Sequence, residues 1–213
     1  MADAGGTELP IFELPLVLLP GEQLPLHVFE DRFKRMVERS LREEEPFGIV
    51  FRDDSGARAR GCAAEVVEVV ERFDDGRLNI IAGGSWRFDV VERFEAADYP
   101  AATVAAVPDA EATAPSDPGA ARGAFAELLA AVGEDEQDVP EDAGDAFSIA
   151  ARVELPVAFK QELLEEDDEP RRLELLSTRL TDLARQVKRA RALAERARTN
   201  GHGPIEGLRD DPG

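Results

Sequence analysis

Short apolar runs separated by turn residues dominate the first half of the chain, a pattern typical of β-rich domains. The run IFELPLVLLP (11–20) is apolar but interrupted by Pro15 and Pro20, which favours an edge or bent strand over a helix. Asp75-Gly76 predicts a tight hairpin turn between two strands. The further predicted strands are 47–51, 62–73, 78–82, 86–94 and 102–107. This series predicts a small barrel or half-barrel.

One helix is predicted early among these strands. Apolar residues recur at helical spacing from Phe29 to Leu41, with charged residues between them. Asp31 falls in the first turn, where the helix dipole favours a negative charge. The helix should end near Glu45, because Pro46 disfavours helical geometry in the residue before it.

From about Pro108 the pattern becomes helical. The predicted helices are 120–132, about 143–153, 157–166 and 171–199, with an acidic segment (134–142) between the first two. Asn200-Gly201 predicts the end of the last helix. The predicted organisation of this α+β chain is a flexible N-terminus (1–8), a β-barrel subdomain (9–108), a linker (109–119), a helical subdomain (120–199) and a flexible tail (200–213).

Charge is distributed unevenly along the chain. The net charge of −20 opposes nucleic acid and anionic membranes as main partners. Residues 1–170 carry a net −24, whereas residues 171–198 carry +6, so the last helix is a basic rod on an acidic body. The helix either packs on its own bundle with arginines in solvent, or serves self-association, which allows a homodimer through residues 171–199.

The sequence gives little indication of a targeting signal or of reactive thiols. The first ten residues lack the basic and apolar regions of a secretory signal, and no run approaches the roughly 20 apolar residues of a membrane span. We therefore expect a cytoplasmic protein. The single cysteine, Cys62, excludes an intramolecular disulfide framework and is predicted to be a buried, inert thiol.

Candidate catalytic residues are equally few. None of the three lysines follows a glycine, so a Walker phosphate loop is excluded, and Gly83-Gly84-Ser85 is predicted to be a turn between strands. His202 falls in the predicted tail. His27 is predicted to be structural, bonded to backbone where strand meets helix, although a hydrolase that pairs it with Glu30 or a distant serine remains an alternative.

Metal-binding patterns are also weak. The acidic run EEDDEP (165–170) lacks the alternating ligands and central glycine of an EF-hand, so a solvated helix end is predicted. We predict no catalytic, metal or cofactor site and no cofactor.

Several motifs in order resemble one family. The opening LPIFELPLVLLPGEQLPLHVFEDRF is similar to the start of the N-terminal domain of Lon proteases. The similarity continues through FGIVF, Gly61-Cys62-Ala63-Ala64, Asp75-Gly76-Arg77, Gly84-Ser85-Trp86-Arg87-Phe88 and LPVAFKQELLE (155–165). Together these motifs span roughly residues 9 to 195. Asp31 departs from the family's usual proline, and both residues suit a first helical turn.

The resemblance implies a PUA-like β-barrel followed by a helical bundle that ends in a long helix. Pro15, Pro20 and Pro25 are then expected at strand ends, with the segment from His27 to Phe33 forming a corner of the fold. Trp86 and Phe88 are expected to serve the core. In the full proteases this domain precedes ATPase and peptidase modules. Neither is recognised here, so the chain resembles a stand-alone domain.

The function implied is a non-catalytic protein-binding module that contacts polypeptide clients or a partner protein in protein quality control. Its contact residues are not predicted. A PUA-like nucleic-acid-binding protein is a further alternative, which the acidic charge opposes.

Overall fold

The computed structural model describes residues 6–96, 99–110, 116–134 and 144–200, with side chains up to Arg196. The strands are β1 (Thr7–Leu14), β2 (Gln23–Val28), β3 (Phe47–Asp53), β4 (Gly56–Arg72), β5 (Leu78–Glu95) and β6 (Pro100–Ala106). The helices are α1 (Asp31–Glu43), α2 (Gly119–Val132), α3 (Ala146–Ala150), α4 (Val157–Glu165) and α5 (Glu169–Asn200). The α+β prediction is confirmed. The middle of the predicted linker, nearly all of the acidic segment and the tail with His202 lie outside the described residues.

Five strands close into a barrel. The sheet order is β2-β5-β4-β3-β1-β6, and β6 pairs back onto β5. Only the β1–β3 pairing is parallel among the described strand pairs. Closure depends on the length of β5, which pairs with β2 along residues 78–83 and with β6 along residues 88–95. A closed barrel leaves no free sheet edge on its own strands.

Three strand segments continue beyond the barrel as an antiparallel sheet. They are β2, the end of β4 (65–72) and the start of β5 (78–83), which we call the distal sheet. The segment from His27 to Phe33, expected to form a corner, runs from the end of β2 into the start of α1. β2 itself is an edge strand, and Pro25 lies in its middle rather than at a strand end as expected. An edge position tolerates proline because the missing N–H can face solvent.

The turn predicted at Gly83-Gly84-Ser85 is wrong, because β5 runs straight through it. The N–H of Gly84 donates to the carbonyl of Glu22 at 2.9 Å, and the N–H of Gly21 donates to the carbonyl of Gly84 at 2.9 Å. A Cβ on Gly84 would lie 2.2 Å from the carbonyl oxygen of Leu19. Glycine is therefore required by the close approach of another backbone, and not by a turn.

The apolar side chains form two cores. The smaller lies inside the barrel and comprises Leu9, Ile11, Val50, Ala63, Phe88, Ala102 and Val104. The larger runs from Phe12 and Phe47 through α1 and the distal sheet to Leu176 and Leu180 of α5. Phe88 is fully buried as predicted, whereas Trp86 is partly buried against it, with ring centroids 6.0 Å apart.

A substitution at Gly84 tests this packing. We expect Gly84→Ala to lower the free energy of unfolding by about 1–3 kcal/mol, because the new methyl group meets backbone that cannot yield easily. Gly123→Ala is the matched control, since it lies exposed in α2 with no atom within 4 Å of a new Cβ. Urea unfolding should show Gly123→Ala to be stabilised by up to about 1 kcal/mol. Equal stability of the two variants would contradict the assigned contact.

Candidate functional site

The distal sheet buries one face and exposes the other. Leu78, Ile80 and Ala82 of β5 point into the core, while Asn79 and Ile81 point outward. The outward side chains define the distal face, which comprises Pro25, His27, Phe29, Glu65, Val67, Glu68, Val70, Glu71, Phe73, Asn79 and Ile81. Apolar groups therefore cover much of a surface that the core does not use.

Two β-bulges place extra apolar side chains on this face. The register of β4 against β5 shifts between Val66 and Glu68, and again between Val69 and Glu71. Val67 and Val70 are the unpaired residues, and each is 56% exposed. Val67 lies over Gly83, where an added Cβ would come within 2.7 Å of its methyl group. The bulges break the strand alternation, so sequence periodicity could not identify these valines as surface residues.

Aromatic rings continue the distal face beside β2. Phe29 is 60% exposed and stacks on His27 with ring centroids 5.9 Å apart. Phe73 meets the other side of His27 edge-on at 6.1 Å. The guanidinium of Arg77 lies 4.9 Å from the Phe73 ring centroid. Exposed aromatic groups with few rotatable bonds are frequent anchors in protein interfaces.

A hydrogen-bond chain orients His27. Asn79 donates through Nδ2 to Glu71 at 3.1 Å, which leaves its Oδ1 as an acceptor. The Nδ1 of His27 lies 2.7 Å from that Oδ1 and must therefore carry the proton. The lone pair of Nε2 is left for another donor. His27 was predicted to bond to backbone where strand meets helix; its bond is instead to the side chain of Asn79 on the neighbouring strand β5.

Carboxylates lie within the distal face, since Glu68 pairs with Ile81 and Glu71 with Asn79 across the two strands. Glu65, Glu68 and Glu71 are exposed along the same segment of β4. Carboxylates beside an apolar surface favour partners that carry both apolar and cationic side chains.

One of the two edges of the distal sheet, that of β2, is interrupted by a proline. The hydrogen bond from Gly84 to Glu22 shows that even-numbered residues of this strand bond to β5. Odd-numbered residues therefore direct their backbone groups to the free edge, where Pro25 has no N–H to offer. The proline interrupts the row of donors that a strand added at β2 would need.

The acidic run 165–170 is not a solvated helix end. Arg87 donates to the carbonyls of Leu164 at 3.0 Å and Glu166 at 2.7 Å, and lies 2.7 Å from Asp109. Arg172, fully buried, lies 2.7 Å from both Asp109 and Glu169. We call these arginines and their acceptors the junction cluster, because they join β5 to the start of α5.

The pKa values of two carboxyl groups in this run are shifted in opposite directions. The hydrogen bond from Arg60, 2.6 Å from Asp167, holds the pKa of that carboxyl below its usual range. Burial raises the pKa of Glu169, although Ala146 N–H and Arg172 oppose this rise. Negative charge in the run is therefore used to hold the barrel and helices together. No group of His, Cys, Asp and Glu side chains in the described ranges could hold a metal ion.

Cys62 is fully buried, as predicted. Its Sγ lies 3.3 Å from the carbonyl oxygen of Ala63, and burial raises the pKa of the thiol to about 12. At neutral pH the thiol is therefore protonated and unreactive. Within the described part of the chain, none of the helices has an apolar stretch long enough to cross a membrane.

Comparison with known proteins identifies the fold and then the family. The fold is that of a solved structure, the N-terminal domain of the Mycobacterium avium complex Lon protease (TM-score 0.65, 22% identity, covering 83% of this chain and 99% of that one). A Lon N-terminal domain protein from Xanthomonas campestris superposes with a TM-score of 0.62 at 26% identity, covering 80% of this chain and 96% of that one.

Sequence comparison leads to the same family. Residues 8–182 match the ATP-dependent protease La (LON) substrate-binding domain, and the chain belongs to that family. The Lon protease of Anaeromyxobacter dehalogenans is 30% identical over 190 residues, which cover 79% of this chain and 22% of that protein. That of Paraburkholderia phytofirmans is 27% identical, covering 78% and 23%. The chain thus spans less than a quarter of the length of these relatives.

The orientation of His27 can be tested by NMR. We expect long-range ¹H–¹⁵N correlations of the neutral ring to show a protonated Nδ1, because Asn79 offers it an acceptor. Asn79→Ala removes that acceptor and should shift the population toward the Nε2–H form. A wild-type ring protonated at Nε2 when neutral would contradict the chain of hydrogen bonds.

The junction cluster should give a defined pH dependence. Asp167 has a lowered pKa when folded, so its contribution to stability is present above its unfolded pKa and is lost as pH falls through the folded value. We expect Asp167→Asn to be less stable than wild type at neutral pH, with the difference shrinking on acidification below about pH 4. Asp54→Asn, in the exposed β3–β4 turn, is the control. A stability difference that is constant with pH would contradict the pairing.

Proposed function

We propose that the protein is a non-catalytic module that binds extended polypeptide segments on the distal face. The observation that carries this proposal is the set of exposed apolar side chains at Val67 and Val70 on the distal sheet and at Phe29 beside it. A partner that covers such side chains removes apolar area from water, which favours binding. Membership of a substrate-binding domain family supports the same reading.

The side chains of the distal face determine which kind of polypeptide segment it would bind. Apolar side chains of the segment would cover Val67, Val70 and Ile81, gaining about 25 cal/mol for each Å² removed from water. Glu68 and Glu71 would pair with lysine or arginine in the segment, and the Nε2 of His27 would accept a hydrogen bond. Unfolded chains offer such segments, whereas folded proteins bury them. The carboxylates also repel nucleic acid, which disfavours that alternative.

Catalysis receives less support. The hydrogen bond of His27 is to Asn79 and not to a serine or cysteine. The thiol of Cys62 is buried and protonated. A binding role in protein quality control, with clients or a partner protein as ligands, therefore fits the described residues better than hydrolysis.

A binding titration tests the proposal. A fluorescent, permanently unfolded polypeptide is titrated with the protein and followed by anisotropy, with a folded protein of similar size as the negative control. We expect saturable binding of the unfolded chain alone. Val67→Ser/Val70→Ser should weaken it by about tenfold or more, because burying one valine side chain contributes roughly 1.5 kcal/mol or more and the variant loses two. The double variant should keep its stability, since both side chains are exposed.

Val91→Ser is the matched control. Val91 is 65% exposed on β5 outside the distal sheet, so the same change there should leave affinity unaltered. Equal loss of affinity in this control, or unchanged affinity in the double variant, would place binding elsewhere. If the protein binds a basic unfolded polypeptide but not an acidic one, the result would support the proposed pairing of its carboxylates with cationic side chains.

A further inference from the structure

One arginine of α5 has no carboxylate partner. Arg179 is partly buried, and within the described part of the chain its Nε has no hydrogen-bond acceptor and its guanidinium forms no ion pair. The guanidinium lies instead 5.8 Å from the centroid of the Phe159 ring on α4. A guanidinium that lies over an aromatic ring keeps the N–H donors in its own plane for a carboxylate. Arg179 can therefore bind an acidic group without giving up an existing ion pair.

A pocket between α4 and α5, which we call the α4–α5 pocket, lies beside this arginine. Its volume is about 260 Å³, below the roughly 300–1,000 Å³ of small-molecule sites, so it suits side chains of a partner better than a cofactor. Phe159 and Leu175 supply its apolar surface, and both pack against the larger core. Arg179 lines the pocket while remaining partly exposed, so a carboxylate can reach its guanidinium there.

The other charged groups of this lining pair with arginines of the same helix. Arg171 donates to Glu174, and Arg185 lies 3.2 Å from Asp182. Among the described lining residues, the guanidinium of Arg179 is therefore the formal charge that remains uncompensated, and it is positive. The α4–α5 pocket complements a partner that carries a carboxylate, whereas the glutamates of the distal face favour cationic side chains.

The surroundings of Arg179 strengthen such a contact. Its buried Nε has lost water without gaining an acceptor, and an acceptor brought by a partner lowers that cost. Hydrogen bonds between two charged groups are also stronger where apolar neighbours such as Phe159 and Leu175 exclude water. A nucleic-acid phosphate is a poorer occupant than a protein carboxylate, because the net charge of −20 repels the nucleic-acid backbone.

We propose that the α4–α5 pocket docks a segment of a partner protein in which an apolar side chain lies beside a carboxylate. The apolar side chain covers Phe159 and Leu175, which removes apolar area from water. The carboxylate pairs with Arg179. This contact is independent of the distal face, since it uses other elements of the fold and a partner of opposite charge.

A set of short peptides tests the docking on the whole ¹⁵N-labelled protein. Each peptide combines one leucine with one glutamate, at a spacing that differs from peptide to peptide. We expect at least one of them to shift the amide signals of Phe159 and Leu175 and the Nε–H signal of Arg179 in ¹H–¹⁵N spectra. Matched peptides with lysine in place of glutamate should bind about tenfold more weakly or worse, because the charge-assisted hydrogen bonds are lost.

Substitution of the arginine locates the contact. Arg179→Gln should weaken the glutamate peptides by about tenfold or more, and its stability should stay close to that of wild type because no ion pair is lost. Arg189→Gln is the matched control, since Arg189 is exposed on the same helix outside the pocket, and it should leave affinity unchanged.

The comparison of glutamate with lysine peptides on the unaltered chain does not depend on how either variant folds. No binding of any glutamate peptide at millimolar concentration, equal binding of the lysine peptides, or equal loss of affinity in Arg189→Gln would overturn the proposal. Shifts confined to the distal sheet would overturn it as well.

Discussion

Burial of two arginines at the junction cluster is the constraint on which the arrangement of the molecule depends. Arginine side chains are cationic, so the desolvation of Arg87 and Arg172 must be offset by acceptors at fixed positions. Asp109, which follows β6, accepts a hydrogen bond from Arg87 and forms an ion pair with Arg172. The carbonyl of Glu166, which follows α4, accepts from both arginines. The barrel and the helices therefore complete each other's polar contacts, and removing either half would take acceptors away from these arginines.

This junction leaves the outer side of the distal sheet available for other contacts. The distal sheet extends from the barrel because β5 continues from the barrel wall into it. Its inner side belongs to the larger core, so its outer side can be apolar without loss of fold stability. The exposed end of α5, in contrast, keeps polar contacts with α2, since Arg191 donates to the carbonyl of Val132 and Lys188 lies 3.8 Å from Glu127.

Much of the fold was predictable from sequence, and the errors have physical causes. The apolar spacing from Phe33 to Leu41 gave the correct helix because one face is buried against the core, whereas Phe29, placed in the same pattern, lies before α1 and is exposed. The turn predicted at Gly84 was wrong because glycine is needed there for the close approach of another backbone. Sequence alone does not distinguish a close approach from a turn. The distal face was not predicted, because bulges at Val67 and Val70 change exposure without changing residue type. The role of residues 165–170 depends on arginines distant in sequence.

The central claim is that the distal face binds unfolded polypeptide. Its most direct test is a ¹H–¹⁵N chemical-shift map of the isotopically labelled protein with an unlabelled, permanently unfolded chain. We expect the perturbed amides to fall in residues 23–29, 65–73 and 78–83. The chemical shifts of amides in β6 and in the barrel part of β5 should not change. Perturbations confined to those barrel amides or to α5, with the distal sheet unaffected, would contradict the account.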